Sequence, residues 1–316
     1  MAQPTGAFSS YDAVGNREDL SDMIYDVSPS DTPFLTAIKK GKASNTNHEW
    51  QTDVLASAAA NAHIEGDDTT ASAPAATVRI GNYTQILKKT AVITGTQEDG
   101  MNPAGRKKEM AYQMARRLKE IKLDLEYAMI GGAAIGVAKV AGNDTTARKM
   151  GSIYTYLTGN ASVGVGGAVS AGNGAVMTAG TDRDLTEAML TSVLQSAYTN
   201  GGNPNMLMVS PVNKGVISTF TGGATRYVTT EDKKLVNSID VYVGDFHTLK
   251  VVPSRQLVGD NVLALDPEYL EFSELRPIMT SDLAKTGDSH RKQIIWEGTL
   301  KVSAPLAHAL ISDTNG

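Results

Sequence analysis

The chain has 316 residues, a formal net charge of −5 and no cysteine. This excludes disulfides, thiolate chemistry and Cys-ligated zinc, and argues against a dedicated nucleic-acid binder, which carries a basic stripe. An apolar fraction of 41% excludes disorder and supports a sizeable core, while 6% aromatic residues and 30 glycines point to many loops. The length allows one large domain or two ordinary ones. Met1–Thr5 has neither a basic nor an apolar signal-peptide region. No apolar run reaches the roughly 20 residues that span a bilayer, so no membrane partner is expected.

In chain order, residues 1–16 read as a polar arm. Leu20, Met23, Ile24 and Val27 have the spacing of one short helix, stopped by Ser28-Pro29. A second short helix starts at Asp31-Thr32-Pro33, with Asp31 or Thr32 as cap and Pro33 in the first turn. Phe34, Leu35 and Ile38 give it an apolar side. Neither helix can form a core alone, so the segment must lie on something else.

His48–Leu55 reads as a strand with Trp50 and Val54 on one face, and Thr77–Thr94 as a longer, less regular one. The polar loop between them carries Glu65, Asp67 and Asp68. Together they make a long hairpin with a soft tip. A two-stranded hairpin is marginal alone in water, so it packs on this chain or on another. A long helix follows, capped by Asn102 with Pro103 at its first position and ended by Gly131-Gly132. Met110, Met114, Leu118, Ile121, Leu125 and Met129 form its apolar stripe, and its length is roughly 40 Å at 1.5 Å per residue. Lys122 and Glu126 are expected to pair on the opposite, solvated face.

Residues 133–181, which include GNASVGVGGAVSAGNG, read as a domain entry followed by a mobile loop. A helix over about 185–199, a strand at Met206–Val209, a helix over 213–220 and strands at Val236–Val243, Thr248–Val252, Val262–Leu265 and Tyr269–Phe272 make the middle an α+β unit. Arg291–Ser303 then alternates cleanly. Ile294, Trp296, Leu300 and Val302 point one way, and Arg291, Gln293, Glu297, Thr299 and Lys301 the other, with Ile295 the misfit. That is a half-buried strand.

Chemical motifs are weak. Gly164, Gly166 and Gly167 do not complete G-x-G-x-x-G because Val169 stands at the third position, and no P-loop is present. His48, His63, His247, His290 and His308 have no zinc spacing. Glu65, Asp67 and Asp68 lack a calcium-loop pattern and read as a solvated acidic tip. There is no G-x-S-x-G. No cofactor, metal or catalytic residue is therefore expected. The basic clusters Lys88-Lys89, Arg106-Lys107-Lys108 and Arg116-Arg117 read as solvated faces or, more sharply, as partners of acidic patches such as Asp67-Asp68 or Glu18-Asp19 on a neighbouring subunit.

Several segments carry a resemblance. They are DLSDMIYDVSPSDTPFLTAI (19–38), TEAMLTSVLQSAYTNGGNPNMLMVSP (186–211), FHTLKVVPSR (246–255), LALDPEYLEFSELRP (263–277), LAKTGD (283–288), the Glu297–Leu300 segment and AHALI (307–311). In this order and spacing the chain resembles the major capsid proteins of tailed bacteriophages, with the α+β Hong Kong ninety-seven-type fold. The resemblance implies an N-terminal arm over 1–45, an extended hairpin loop over 46–98, a peripheral domain with a spine helix over 99–138, an axial domain over 139–280 and a return to the peripheral domain over 281–316. It implies a structural protein of the virion, assembled in the host cytoplasm from hexamers and pentamers of itself. Scaffolding, portal and decoration proteins are its implied partners, and packaged DNA is enclosed without sequence-specific binding. Phe34, Leu35, Trp50, Asp67, Asp68, Lys88, Lys89, Arg106, Lys107 and Lys108 are then the candidates for subunit interfaces. The alternatives are a nanocompartment shell of the same fold and a soluble α+β enzyme with its site in residues 159–180.

Overall fold

The computed structural model describes residues 29, 31–68, 73–100, 108–220, 240–257 and 261–315. The helix expected over 17–27, the cap expected at Asn102, Arg106, Lys107 and the first residues of the strand expected at 236 lie outside these.

The first described element is helix α1, Pro33–Ala37. Pro33 fits its start because the missing N–H would have had no intrahelical partner. Neither Asp31 nor Thr32 caps it as expected, for Thr32 makes no side-chain cap bond. Its amides go elsewhere: Phe34 and Leu35 donate their backbone N–H groups to the two carboxylate oxygens of Glu126, at 3.1 and 2.9 Å. Strand β1, Lys39–Lys42, follows at once.

The expected hairpin is β2, Asn47–Thr52, paired antiparallel with β3, Val78–Tyr83. The strand expected over 77–94 is divided at Thr84, and β4, Gln85–Thr94, enters a different sheet. Val54 does not share the buried face of Trp50. Pairing stops at Thr52, and Val54 is 75% exposed. A single π-type turn, Thr96–Gly100, leads toward α2, Glu109–Ile130. Its 22 described residues span about 33 Å at 1.5 Å per residue. Glu98 Oε2 accepts from the Met110 amide at 2.9 Å, satisfying a donor of the first turn. Gly131 closes the helix onto Tyr127 O, and Gly132 takes a left-handed φ of +84°, as a helix terminus favours.

The next stretch overturns the expectation of a loose loop. The 3-10 turn Ile153–Thr155 and its neighbours Met150, Tyr154, Tyr156 and Leu157 are essentially fully buried in the main core. The low hydrophobic density around them conceals how completely each one packs. The Gly-rich run beyond it is tied down. A bridge joins Ala168 to Thr178, β5 is Ala161–Ser162, and the Asp313 carboxylate accepts from the amides of Gly164 and Gly180 at 2.8 and 3.0 Å.

Helix α3, Glu187–Thr199, capped by Thr186, strand β6, Met206–Val209, and helix α4, Pro211–Ser218, capped by Ser210, follow as read. Strands β7, Val241–Val243, β8, Thr248–Pro253, and β9, Val262–Leu265, complete the middle unit. The strand read at 269–272 is far longer: β10 runs Leu270–Asp282 and pairs with β11, Ser289–Val302. Pro277 explains the short reading. It lies where the register slips between Arg276 and Met279, the irregular position at which a strand tolerates proline. Strand β12, Ala309–Ile311, ends the fold.

Two larger sheets organise these elements. One has the order β1-β10-β11-β4, the other β5-β12-β9-β6-β8-β7. The long helix α2 lies over the first, where Ile121, Leu125 and Met129 join Leu87, Phe272 and Trp296 in one core. Each fully buried side chain of this size is worth about 1.5–3 kcal/mol of burial. The second sheet packs Leu207, Val209, Leu249 and Val262 beneath Leu190, Val193 and Leu194 of α3. The chain passes from the second sheet to the first at the 3-10 turn Pro267–Tyr269, ahead of residue 280, because β10 already belongs to the first sheet. The chain then crosses back, for β12 joins the second sheet instead of staying with β11.

Candidate assembly surfaces

The hairpin is rigid at its base and bare beyond it. Asn82 is fully buried. Its side chain donates to Leu300 O at 2.8 Å and to Gly151 O at 3.2 Å, and accepts from the Gly151 amide at 2.8 Å. Next to it, Gly81 O accepts from Lys139 Nζ at 2.6 Å and from the Tyr156 hydroxyl at 3.2 Å. Burial lowers the Lys139 pKa, and the Glu49 carboxylate acts against this. These contacts hold the strand ends to the body. Every described residue from 53 to 79 is exposed, including Leu55 at 94% and Ile64 at 83%.

The tip carboxylates expected as interface groups are on this bare loop. Asp67 faces His63 at 3.5 Å, and Asp68 is exposed. The other candidates divide. Phe34, Leu35 and Trp50 are 0%, 8% and 8% exposed, so their own chain covers them. Within the single chain these three need no neighbour for their burial. Phe34 and Leu35 sit against α2 through Glu126, and Trp50 packs against Tyr156 with ring centroids 5.9 Å apart. Lys88 is exposed, whereas Lys89 reaches Asp124 of α2 at 2.7 Å and is paired within the chain. Lys108 meets Asp99 at 3.4 Å. Arg117 is bound to Glu120 at 2.6 Å.

Two carboxylates whose positions in the sequence suggest an outer face are buried. Glu126, expected to pair with Lys122, is fully buried and caps α1, with its pKa raised by burial against the pull of the Leu35 and Phe34 amides. Glu297, on the face of its strand opposite Trp296, is 3% exposed. It accepts from Arg148, from Arg276 Nε at 2.6 Å and from the Thr84 hydroxyl at 3.0 Å. Both faces of β11 are covered here, so Thr299 is buried too. Sequence holds one signal for Glu126: it stands between Leu125 and Met129, one turn before Ile130.

Chemistry finds little footing. Ser273, His48 and Glu271 stand together, with Oγ 3.3 Å from His48 Nε2 and 2.8 Å from Glu271 Oε1, and Ser273 is fully buried. A cleft of about 970 Å³ lies between the hairpin base, residues 171–173 and residues 199–202. No histidine lines it, and its Lys139 is committed to Gly81.

Comparison with known proteins places this fold among phage capsid proteins. The major capsid protein of Escherichia phage Phieco32 is 28% identical, over the whole of this chain and 99% of that protein. Among solved structures, the capsid asymmetric unit of cyanophage A-1(L) superposes with a TM-score of 0.70 at 14% identity, covering 98% of this chain and 99% of that one. A chain from Microbacterium phage Oxtober96 gives 0.63 at 12% identity, covering 97% and 99%. These likenesses give the fold as the Hong Kong ninety-seven type. The SU10 major capsid protein family matches residues 3–315, so the chain belongs to that family and is a shell-forming major capsid protein of a tailed phage.

Proposed function

We propose that the chain closes its shell through rings of five and six copies, with the hairpin as the connector between neighbours, and that it performs no catalysis. The observation that carries this is the contrast within the hairpin. Its base is fixed by Asn82 and Gly81, while residues 53–79 expose Val54, Leu55, Ile64 and Val78 with no cover from their own chain. An exposed apolar stretch of this size marks an interaction surface. Heterologous contacts that close on themselves build rings and shells, and many modest contacts per copy then sum.

In this reading the α2 sheet is the peripheral domain, and the six-stranded sheet with α3 and α4 is the axial domain whose loops gather at the ring centres. The protein resides in the virion and assembles in the host cytoplasm. A net charge of −5 suits a wall that encloses DNA without gripping it. Scaffolding, portal and decoration proteins are its further partners. The related Phage G structure holds decoration proteins beside its major capsid protein.

The test is to replace residues 54–77 with a short glycine-rich turn in the full chain. No described residue among these is buried, so the variant folds with unchanged thermal unfolding but yields no sedimenting shells. Shells of normal yield from that variant would refute the connector role. Nucleic acid inside the wild-type particles separates a phage head from a nanocompartment of the same fold.

A further inference from the structure

The first sheet separates two kinds of charge. Helix α2 stands on one face, where Lys89 of β4 reaches Asp124. The hairpin base stands on the other, where His48 Nε2 lies 3.3 Å from Ser273 Oγ. Ser273 points away from its neighbour Phe272, which faces α2 together with Trp296, because side chains in a strand alternate. On the hairpin side, the stretch from Asp53 to Val78 holds Asp53, Glu65, Asp67 and Asp68 and no lysine or arginine.

The α2 side is the reverse. The helix has as many acids as bases, but its acids are committed within the chain. Glu126 is buried on the α1 amides, Glu109 is buried beside Gln113, and Glu120 and Asp124 hold Arg117 and Lys89. Arg116, Lys119 and Lys122 are exposed over about 9 Å of the helix, and among the described residues no carboxylate lies within salt-bridge distance of them. Strand β1 adds two more cations. Lys40 and Lys42 lie opposite Phe272 and Glu274, so they share the α2 face of the sheet. Glu274 marks that face by accepting from Trp296 Nε1 at 3.0 Å. Both lysines are exposed and equally without a described carboxylate, whereas Lys39, on the other face, meets Glu268 at 3.7 Å. An acidic chain thus gathers uncompensated cations on one side.

We infer that this side binds the phosphate backbone of duplex DNA through Lys40, Lys42, Arg116, Lys119 and Lys122. The inference rests on the shell reading above and adds which residues meet the enclosed genome. Protein–protein interfaces are depleted of lysine and centred on apolar anchors. Here all the cations but Arg116 are lysines, and the exposed apolar side chains near them, Ala111 and Ala115, are too small to anchor a partner. Protein–DNA interfaces are strongly positive, and contacts to phosphate carry no sequence information, as a wall requires. With a salt slope of about 0.9 per neutralised phosphate, contacts from all these cations weaken roughly 500-fold between 50 and 200 mM salt. The DNA is touched on one side and repelled by the acidic remainder of the chain.

The experiment titrates the full, unassembled chain into a short fluorescent DNA duplex of arbitrary sequence and follows anisotropy between about 50 and 200 mM salt. Three variants are compared with the wild type: Arg116→Gln with Lys119→Gln and Lys122→Gln, Lys40→Gln with Lys42→Gln, and Lys88→Gln, whose side chain is exposed on the opposite face. All these positions are exposed and glutamine is a good helix former, so thermal unfolding stays at the wild-type temperature. The salt slope of the logarithm of affinity falls by about 2.7 in the helix variant and about 1.8 in the β1 variant, and stays unchanged in Lys88→Gln. A wild-type slope in the helix variant, or no binding by the wild type at the lowest salt, overturns the inference while leaving the shell reading intact. An equal loss per lysine in Lys88→Gln overturns it too, since the attraction is then indiscriminate. Loss of shells from the helix variant with its DNA slope unchanged assigns the face to a protein partner instead. Absence of shells from the unaltered chain, expressed with its neighbouring genes, refutes the shell reading itself.

Discussion

The carboxylate of Glu126 accepts the backbone amide of Leu35 at 2.9 Å, across 91 positions of sequence. Its other oxygen accepts from Phe34, so one buried side chain of the long helix satisfies two amides at the start of α1. A helix of five residues has no stability of its own, and this contact fixes where it lies.

Replacing Glu126 with alanine leaves both amides buried without acceptors and destabilises the chain by about 2–4 kcal/mol. Urea unfolding of the unassembled protein measures it. Because the native pKa is raised, the folded state binds a proton more readily than the unfolded one above the ordinary value of 4.5. This group therefore adds stability as the pH falls from the raised value toward 4.5, and Glu126→Gln removes that increment. The same contact bears on truncation. Removing residues 1–40 takes away Phe34, fully buried, so it damages the core as well as the arm.

His308 has the opposite sign. Burial holds its pKa down to about 3, and its Nδ1 accepts from the Asp266 amide at 3.2 Å. The unfolded chain binds a proton at about 6.5, so the neutral ring's contribution is complete above that value and is lost as pH falls from 6.5 toward 3. The loss approaches about 1.4 kcal/mol per pH unit. Unfolding free energies of the wild type and His308→Gln at pH 7 and pH 5 check it: the difference between the two proteins shrinks at pH 5.

Glu297 ties Arg148, Arg276 and Thr84 to β11. Glu297→Ala strands two guanidinium groups and costs about 2–4 kcal/mol, toward the lower end because Arg148 and Arg276 are 25% and 41% exposed and partly rehydrate. Chemical denaturation gives the number.

Asp313 pins the Gly-rich run through Gly164 and Gly180. Asp313→Ala should speed amide hydrogen exchange of residues 163–181 by roughly tenfold or more, for two lost hydrogen bonds at about 1 kcal/mol each, while protection in α3 is unchanged.

Elements with a strict period were legible in the sequence. The stripe of α2, the apolar run of β6 and the alternation of β11 each record which side is covered, and Ile294, Trp296, Leu300 and Val302 are all buried as their spacing implies. What stayed hidden depends on contacts between distant segments. Glu126 and Glu297 look like solvated charges because their partners, Leu35 and Arg148, lie far away along the chain. Tyr154 and Tyr156 look like loop residues because their packing is set by the hairpin base and the sheet. Of the candidate interface residues, periodicity found Trp50 and Phe34 as apolar anchors but carried no information on which chain covers them.

The central claim is that this chain forms a closed shell through its hairpin. Electron cryomicroscopy of particles made by the full chain tests it most directly. The account predicts closed icosahedral shells in which the described residues of 53–79, exposed in the single chain, lie against a neighbouring copy. A monodisperse monomer, or a shell that leaves the hairpin uncovered, would contradict it.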